Sequence, residues 1–272
     1  MGRGTGAVHS PNPWALYEEL ASGIPADLTV VDYQVAGRWA WVKSSSGQVG
    51  MAGVYRESGR PVSYSGSAGL FGMPLSEAAG LARSWNFTEA GIGVAAMNAC
   101  YNAPERGGQV GVDVADLSQG RRARVLGVSR GDSFRVFRER VAGKKVAVVG
   151  HFKGLEQVLN PVCDLSILER APMDGDFPDS AAEYLPPRSD WVFITGSALV
   201  NKTLPRLLEL SRDAMTAVVG PFTPMTELLF DYGADVLSGF LPQDSEGLCV
   251  SLRGIGGGRK YNFGTQVNRA RA

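Results

Sequence analysis

From residue 143 onward, five short apolar runs, KVAVVG, DLSILE, WVFITG, MTAVVG and ADVLSG, recur with loop or helical segments between them. Steady alternation of strand, loop and helix points to a parallel sheet with its crossovers packed on the faces. In such a sheet the loops at the carboxyl ends of the strands share one rim, and ligands bind there. The third run shows the pattern most fully. Trp191 to Ile194 is apolar with β-branched members, as expected of a strand buried on both faces. Thr195, Ser197, Asn201 and Thr203 bring hydrogen-bonding side chains to its carboxyl end, and Leu204, Leu207 and Leu208 then repeat at one-face helical spacing. Thr203 is the expected cap of that helix, and Pro205 is tolerated in its first turn.

The N-terminal part has a different rhythm. Residues 1–12 are rich in Gly, Ser and Pro and read as a flexible start, after which 13–21 forms a helix with Trp14, Tyr17 and Leu20 on one face. Residues 28–43 and 48–55 partly alternate around a Ser-Ser-Ser-Gly break, which predicts an antiparallel pair with a turn near Ser46-Gly47. A glycine loop at 66–72 precedes helices over 74–82 and 88–100. The second of these is crowded with small residues and carries Asn98 as a polar side chain. Asn98 either bonds a neighbouring backbone group near the helix end or contacts a ligand. Between Glu105 and Arg124 the chain turns polar, with Arg121, Arg122 and Arg124 as a solvated edge, and the domain boundary falls between there and Gly143.

Composition narrows the function classes. A chain of 272 residues holds one large domain or two modest ones, and two fit the change of rhythm: an α+β domain over 13–138 and a parallel-sheet domain over 139–252. The formal net charge is zero, so no bulk field argues for nucleic acid or an anionic membrane. Small molecules, and a second copy of the chain as a homodimer, are the expected partners. Cys100, Cys163 and Cys249 form no disulfide framework, no apolar stretch reaches the ~20 residues of a membrane span, and the start lacks the apolar centre of a secretory signal. A cytoplasmic setting is the expectation. The stretch 253–272 carries Arg253, Arg259, Lys260, Arg269 and Arg271 without an acidic residue, and reads as a partly mobile, solvated tail or as a cover for an anionic ligand.

On the rim, Gly150-His151-Phe152-Lys153-Gly154 follows the first strand, but its two glycines lack the third of a dinucleotide fingerprint. Glu169 ends the second strand, where an acidic side chain often meets ribose hydroxyls, so adenosyl-type ligands stay open. His151 sits where a general base, a metal ligand or a ligand hydrogen bond would be useful, or where it ties down the loop. The fourth strand ends in Gly220, Pro221, Phe222, Thr223 and Pro224, with Thr223 capping a helix over 225–232 whose first-turn amides could receive an anion. Two histidines and three scattered cysteines give no metal-ligand spacing, and no G-x-S-x-G elbow, P-loop or H-E-x-x-H helix is present.

VAVVGHF, LSILER, WVFITGSALVNKTL and VVGPFTPMTELLFDYGADVLSG together resemble the Rossmann-like domain of the family described as putative heavy-metal chelation, and GIGVAAMNACYN resembles the helix of its companion domain, which is similar to the N-terminal domain of enolase. The resemblance implies an α/β fold, with a Rossmann-like C-terminal domain preceded by a smaller α+β domain and a ligand cleft between them. It places His151, Glu169, Thr195, Asn201, Thr203, Gly220 and Pro221 on one wall and Asn98 opposite; the loop reading adds Gly150 and Thr223 as ligand-binding candidates, and His151 and Asn98 are the catalytic candidates. Lys153 stands where family members often have proline. The expected ligand is a small polar or anionic metabolite or a chelated metal, with no metal held by the protein alone. The alternatives are a transferase or lyase using S-adenosylmethionine or a nucleotide, and a non-catalytic carrier of a metal chelate.

Overall fold

A computed structural model describes residues 12–55, 59–61, 69–104, 128–130, 132–253 and 260–271. The expectations for residues 1–11, the 66–68 part of the glycine loop, the arginine cluster at 121–124 and Arg259 lie outside the described residues.

The N-terminal layer opens with α1 (Ala15–Ser22), which buries Leu16, Tyr17 and Leu20. Three antiparallel strands follow in the order β1 (Val30–Ala36), β2 (Trp39–Ser44) and β3 (Val49–Gly53). The stretch 28–43, expected as one strand, is divided by Gly37 at φ +59°, a turn conformation that glycine adopts without a Cβ clash. The expected turn at Gly47 is present, at φ +85°. Next come α2 (Leu75–Gly80) and α3 (Phe87–Tyr101), the latter capped by the Asn86 side chain, which accepts hydrogen bonds from the Thr88 and Glu89 amides.

Small residues explain how closely α3 is packed. A Cβ on Gly50 of β3 would fall 2.0 Å from the Ala99 nitrogen, and one on Gly93 would fall 2.0 Å from the Ala82 nitrogen. Helix and strand backbones therefore meet directly, and nearly every α3 side chain is buried.

The second part is an eight-stranded sheet. Its strands are β4 (Val128–Arg130), β5 (Lys145–Val149), β6 (Asp164–Glu169), β7 (Phe177–Pro178), β8 (Trp191–Thr195), β9 (Met215–Val219), β10 (Val236–Pro242) and β11 (Gly264–Ala270), in the spatial order β4-β11-β10-β9-β8-β5-β6-β7. From β10 through β7 the neighbours are parallel, while β11 is antiparallel to both β10 and β4. The chain lays β6 and β7 on one side of β5, then returns to lay β8, β9 and β10 on the other. The strand order thus reverses between β5 and β8, the switch point at which open α/β sheets leave a crevice. Helices α4 (Ser133–Phe137), α5 (Leu155–Leu159), α6 (Leu204–Leu210), α7 (Leu228–Asp231) and α8 (Ser245–Arg253) complete the layer.

Two expectations are corrected. Residues 264–270 are not solvated tail but β11, wedged between β10 and β4, with Val267 and Asn268 buried. Its composition hid it, because Thr265, Gln266 and Arg269 are only partly buried and Asn268 is a polar side chain that is buried. The helix expected over 225–232 is only α7, starting three residues later.

The two parts share one hydrophobic cluster, which runs from Leu16, Ala40 and Val94 to Val192, Leu204 and Leu237. Tyr17 fastens them by donating its hydroxyl to the Leu199 carbonyl at 2.9 Å. Among the described residues, no helix is long and apolar enough to cross a membrane.

Candidate functional site

A cavity of about 1570 Å³ lies over the carboxyl ends of β5, β6, β8 and β9, with the β1–β2 turn and the end of β3 supplying its other wall through Arg38, Trp39, Gly53 and Tyr55. It is larger than the roughly 300–1,000 Å³ of ordinary small-molecule sites.

The floor is set at the switch point. Gly150 leaves β5 at φ +101°, and a Cβ there would press on the Thr195 side chain at 3.1 Å. Only glycine fits both constraints. The next residue, His151, is clamped on three sides. Its amide donates to Glu169 Oε2 at 2.9 Å, Nδ1 lies 3.0 Å from Asp176 Oδ2, and Nε2 lies 3.2 Å from Glu156 Oε1. The Asp176 side chain is 2% exposed and also accepts from the Met173 amide, so this contact locks the 169–177 loop against the β5 loop. Both ring nitrogens donate only in imidazolium. To act as a base toward a ligand, His151 has to release the half-exposed Glu156.

Glu169 is also used structurally. Oε2 takes the His151 amide, and Oε1 takes the Arg170 amide at 2.7 Å and the Ala171 amide at 3.4 Å. Thr195 accepts from the Ser197 amide at 3.3 Å and so caps the short turn Gly196–Leu199. Asn201 Oδ1 accepts from the Thr203 amide at 3.1 Å and the Thr203 hydroxyl at 2.6 Å, an Asx turn that leaves the Asn201 Nδ2 donors toward the cavity wall. Thr203 therefore does not cap α6 through its side chain, contrary to expectation. Across the cavity, the Tyr55 hydroxyl reaches Ser197.

Gly150, His151, Glu169, Thr195, Asn201, Thr203 and Pro221 line this cavity. Gly220, Thr223 and Asn98 do not. Gly220 turns the chain beneath Phe152, at φ +105°. Thr223 is fully buried, caps no helix, and leaves its hydroxyl without a hydrogen-bond partner. Asn98 is 1% exposed and donates to the Met51 carbonyl at 2.9 Å and the Phe222 carbonyl at 3.0 Å, so it ties α3 to β3 and to the loop after β9. The contact is to backbone, but to carbonyls 47 and 124 residues away rather than to a neighbour near the helix end.

One helical turn later, Asn102 does the same more completely. Nδ2 donates to the Thr223 and Phe240 carbonyls, and Oδ1 accepts from the Met225 amide at 2.9 Å. That amide belongs to the stretch expected to receive an anion, and it is already taken. The spacing of Asn98 and Asn102, four residues apart on one helix face, was the available signal.

Sequence reading also passes over Asp176, Tyr55 and Trp39, and offers Lys260 only as one cation of a stretch that is either solvated or covers an anionic ligand. Each comes from a segment distant in sequence, so spacing carried no sign of them. Lys260 precedes β11 and stands 4.2 Å from the Trp39 ring centroid and 5.0 Å from that of Tyr261, and burial pulls its ammonium below the usual lysine range.

The donor set was tested against a bare heavy metal and does not fit. No group of three His, Cys, Asp or Glu among the described residues is arranged to hold an ion. Cys100 and Cys249 are buried, Cys163 is partly so, and none of the three lines the cavity. Burial pushes the Cys249 thiol up to about 11 and raises Cys163 as well, which disfavours the thiolate that a soft metal requires.

Comparison with known proteins finds matches to both parts of the chain. A family described as putative heavy-metal chelation matches residues 132–270, and a second family of the same description matches residues 17–101. The crystal structure of a protein of unknown function from Desulfitobacterium hafniense is similar over 95% of this chain and 98% of that one, with 38% identity and a TM-score of 0.81. A second such structure, from Pyrococcus horikoshii, has the same fold at 19% identity and a TM-score of 0.76, covering 96% of this chain and 100% of that one. An uncharacterized protein of Methanocaldococcus jannaschii is 30% identical over 162 residues, which are 57% of this chain and 55% of that protein's length. With one matching family spanning the large sheet and its companion the N-terminal layer, this chain belongs to the putative heavy-metal chelation family.

Proposed function

We propose that the protein binds a small anionic metal chelate, a cation already wrapped by a polydentate organic ligand, in the cavity over the β5–β8 switch point. One observation carries this reading. The cavity is lined by Arg38, Arg135, Lys153 and Lys260, none with a carboxylate within ion-pair distance among the described residues, while no cluster of metal-ligating side chains accompanies them. Such a surface offers charge to the outside of a complex rather than bonds to its metal. The family description supports the metal part of the reading. A non-catalytic carrier and a catalyst using His151 share this site, and ligand turnover separates them.

The test is a thermal-shift comparison of nickel, cobalt, iron and zinc salts alone, citrate alone, and the preformed metal citrates. A ligand at a hundred times its Kd stabilises the fold by about 2.7 kcal/mol. The chelate is expected to stabilise most. Stoichiometric binding of a bare cation, with no gain from citrate, would overturn the reading.

A second reading, an enzyme using S-adenosylmethionine or a nucleotide, has the position of Glu169 beside Gly150 in its favour. Both Glu169 oxygens already accept backbone amides, which leaves less of the carboxylate for ribose hydroxyls. Saturable S-adenosylmethionine binding that Glu169→Gln abolishes would move the assignment to this class.

A further inference from the structure

Apart from Lys153 on the central loop after β5, which is also unmatched among the described residues, the cations around the cavity fall into two groups that follow the strand order. Toward β6 and β7, Arg170 lies 3.7 Å from Asp179, and Arg206 is held by Glu183 at 2.6 Å and Glu209 at 2.9 Å. These guanidinium groups are already matched by acids. Toward β11 and β4, Lys260 and Arg135 have no carboxylate partner among the described residues, and Arg38 of the β1–β2 turn, next to Trp39, has none either. Asp132 is the acid on that flank. Its carboxylate accepts the Arg135 amide at 3.1 Å and lies toward Tyr261.

Lys260 is the most constrained of these cations. Its stem is partly buried, and its ammonium rests on the faces of Trp39 and Tyr261. Among the described residues no oxygen accepts from Nζ, so its three donors stay open toward the cavity. A desolvated ammonium gains far more from an arriving anion than a solvated one does, because its own hydration has already been given up. Trp39 in turn packs on Phe222 at 5.4 Å, and Gln266 of β11 adds an amide to the same wall.

We propose that Lys260, seated on Trp39 and Tyr261, is the anchor for an oxyanion of the ligand, either a carboxylate or a phosphate. The inference rests on the anionic-ligand reading of the cavity and extends it by fixing an orientation. The charged end of the ligand lies over the β11 flank, and its less charged end lies toward Ala182, Leu207 and Leu210 beside the matched arginines. The segment 260–270 then has a binding role as well as a place in the sheet. Its strand holds Lys260 in register with the rim loops.

Isothermal titration of the full chain with citrate and, separately, with pyrophosphate tests the inference and tells carboxylate from phosphate by which probe binds. Lys260→Met should weaken the binding probe by about tenfold or more, the effect of losing one charged hydrogen bond. Lys260→Arg should restore most of it, and Lys260→Gln, which keeps length and polarity without charge, should not. Melting without probe tells whether each variant is folded. Wild-type protein that binds neither probe overturns the anionic-ligand reading and this inference together. Wild-type binding matched by Lys260→Met or by Lys260→Gln overturns the anchor alone and leaves the cavity reading standing.

Discussion

Two sets of polar side chains meet the loops after β8 and β9, and they are used in opposite ways. Along the buried seam, Asn98 and Asn102 spend their amides on backbone groups of both parts, and Asn102 has both ends of its amide engaged. Along the rim, only part of the polar inventory is spent on the loops, and among the described residues Lys260, Arg38 and the Asn201 Nδ2 keep donors that no protein group takes. The difference separates support from recognition. A binding surface stays in place only when other residues satisfy its backbone, and the seam does this from below.

The comparison breaks most severely at Asn102. Asn102→Ala leaves the Thr223 and Phe240 carbonyls and the Met225 amide without their buried partner. Each such loss costs about 1–3 kcal/mol, so about 4 kcal/mol is expected in urea unfolding. Asn98→Ala removes two donated bonds and no accepted one, since its Oδ1 has no partner, and should cost about 2 kcal/mol. Equal costs would mean that the seam is held by packing rather than by these bonds.

His151 occupies the middle ground, part support and part surface. His151→Ala strands the buried Asp176 carboxylate with the Met173 amide, and a loss of about 2 kcal/mol is expected. Glu156→Gln touches the other, half-exposed side of the ring and should change stability by less than about 0.5 kcal/mol. If the two variants lose the same stability, the imidazole is not asymmetrically clamped.

This contrast also shows what sequence made legible. The strands β5, β8, β9 and β10 announce themselves because burial on both faces favours largely apolar runs, whereas β6 is buried only at Ile167 and Leu168 and was read from its place in the alternation. The rim loops follow from them, so Gly150, His151, Glu169, Thr195 and Asn201 could be placed in advance. β11 could not, because a partly buried strand next to the sheet edge tolerates Thr265, Gln266 and Arg269, buries Asn268 as well, and looks like solvated chain. Asp176 was hidden for a related reason, and Lys260 stood out only as one of five basic residues in an acid-free stretch. Each reaches its partner through the sheet order, across 25 residues from Asp176 to His151, and periodicity does not encode such distances. Asn98 was seen but assigned to the wrong set, since a polar side chain in an apolar helix gives no sign of whether ligand or backbone will meet it.

A pH-dependent effect is expected where seam and rim touch. Lys202 sits between the rim residues Asn201 and Thr203, with Nζ donating to the Val200 carbonyl at 2.7 Å and lying 5.2 Å from the ring centroid of Phe87 in α3. Its backbone is left-handed at φ +71°, a conformation that costs a side-chain-bearing residue roughly 1 kcal/mol. Burial pulls its ammonium from 10.5 down to about 8. Between those values the unfolded chain holds a proton that the folded chain has released, so stability rises with pH across that window and the penalty for burying the charge is greatest below it. Lys260 is lowered too and contributes a slope of the same sign, whereas Tyr232, raised to about 12, opposes it at higher pH. The informative quantity is therefore the difference between wild type and Lys202→Met, measured by urea unfolding from about pH 8 to 10. Wild type should gain on the variant as pH rises. Lys202→Gly should remove the same slope and add up to about 1 kcal/mol at every pH by relieving the turn. A slope that survives both substitutions would place the titration elsewhere on the rim and make Lys202 part of the seam alone.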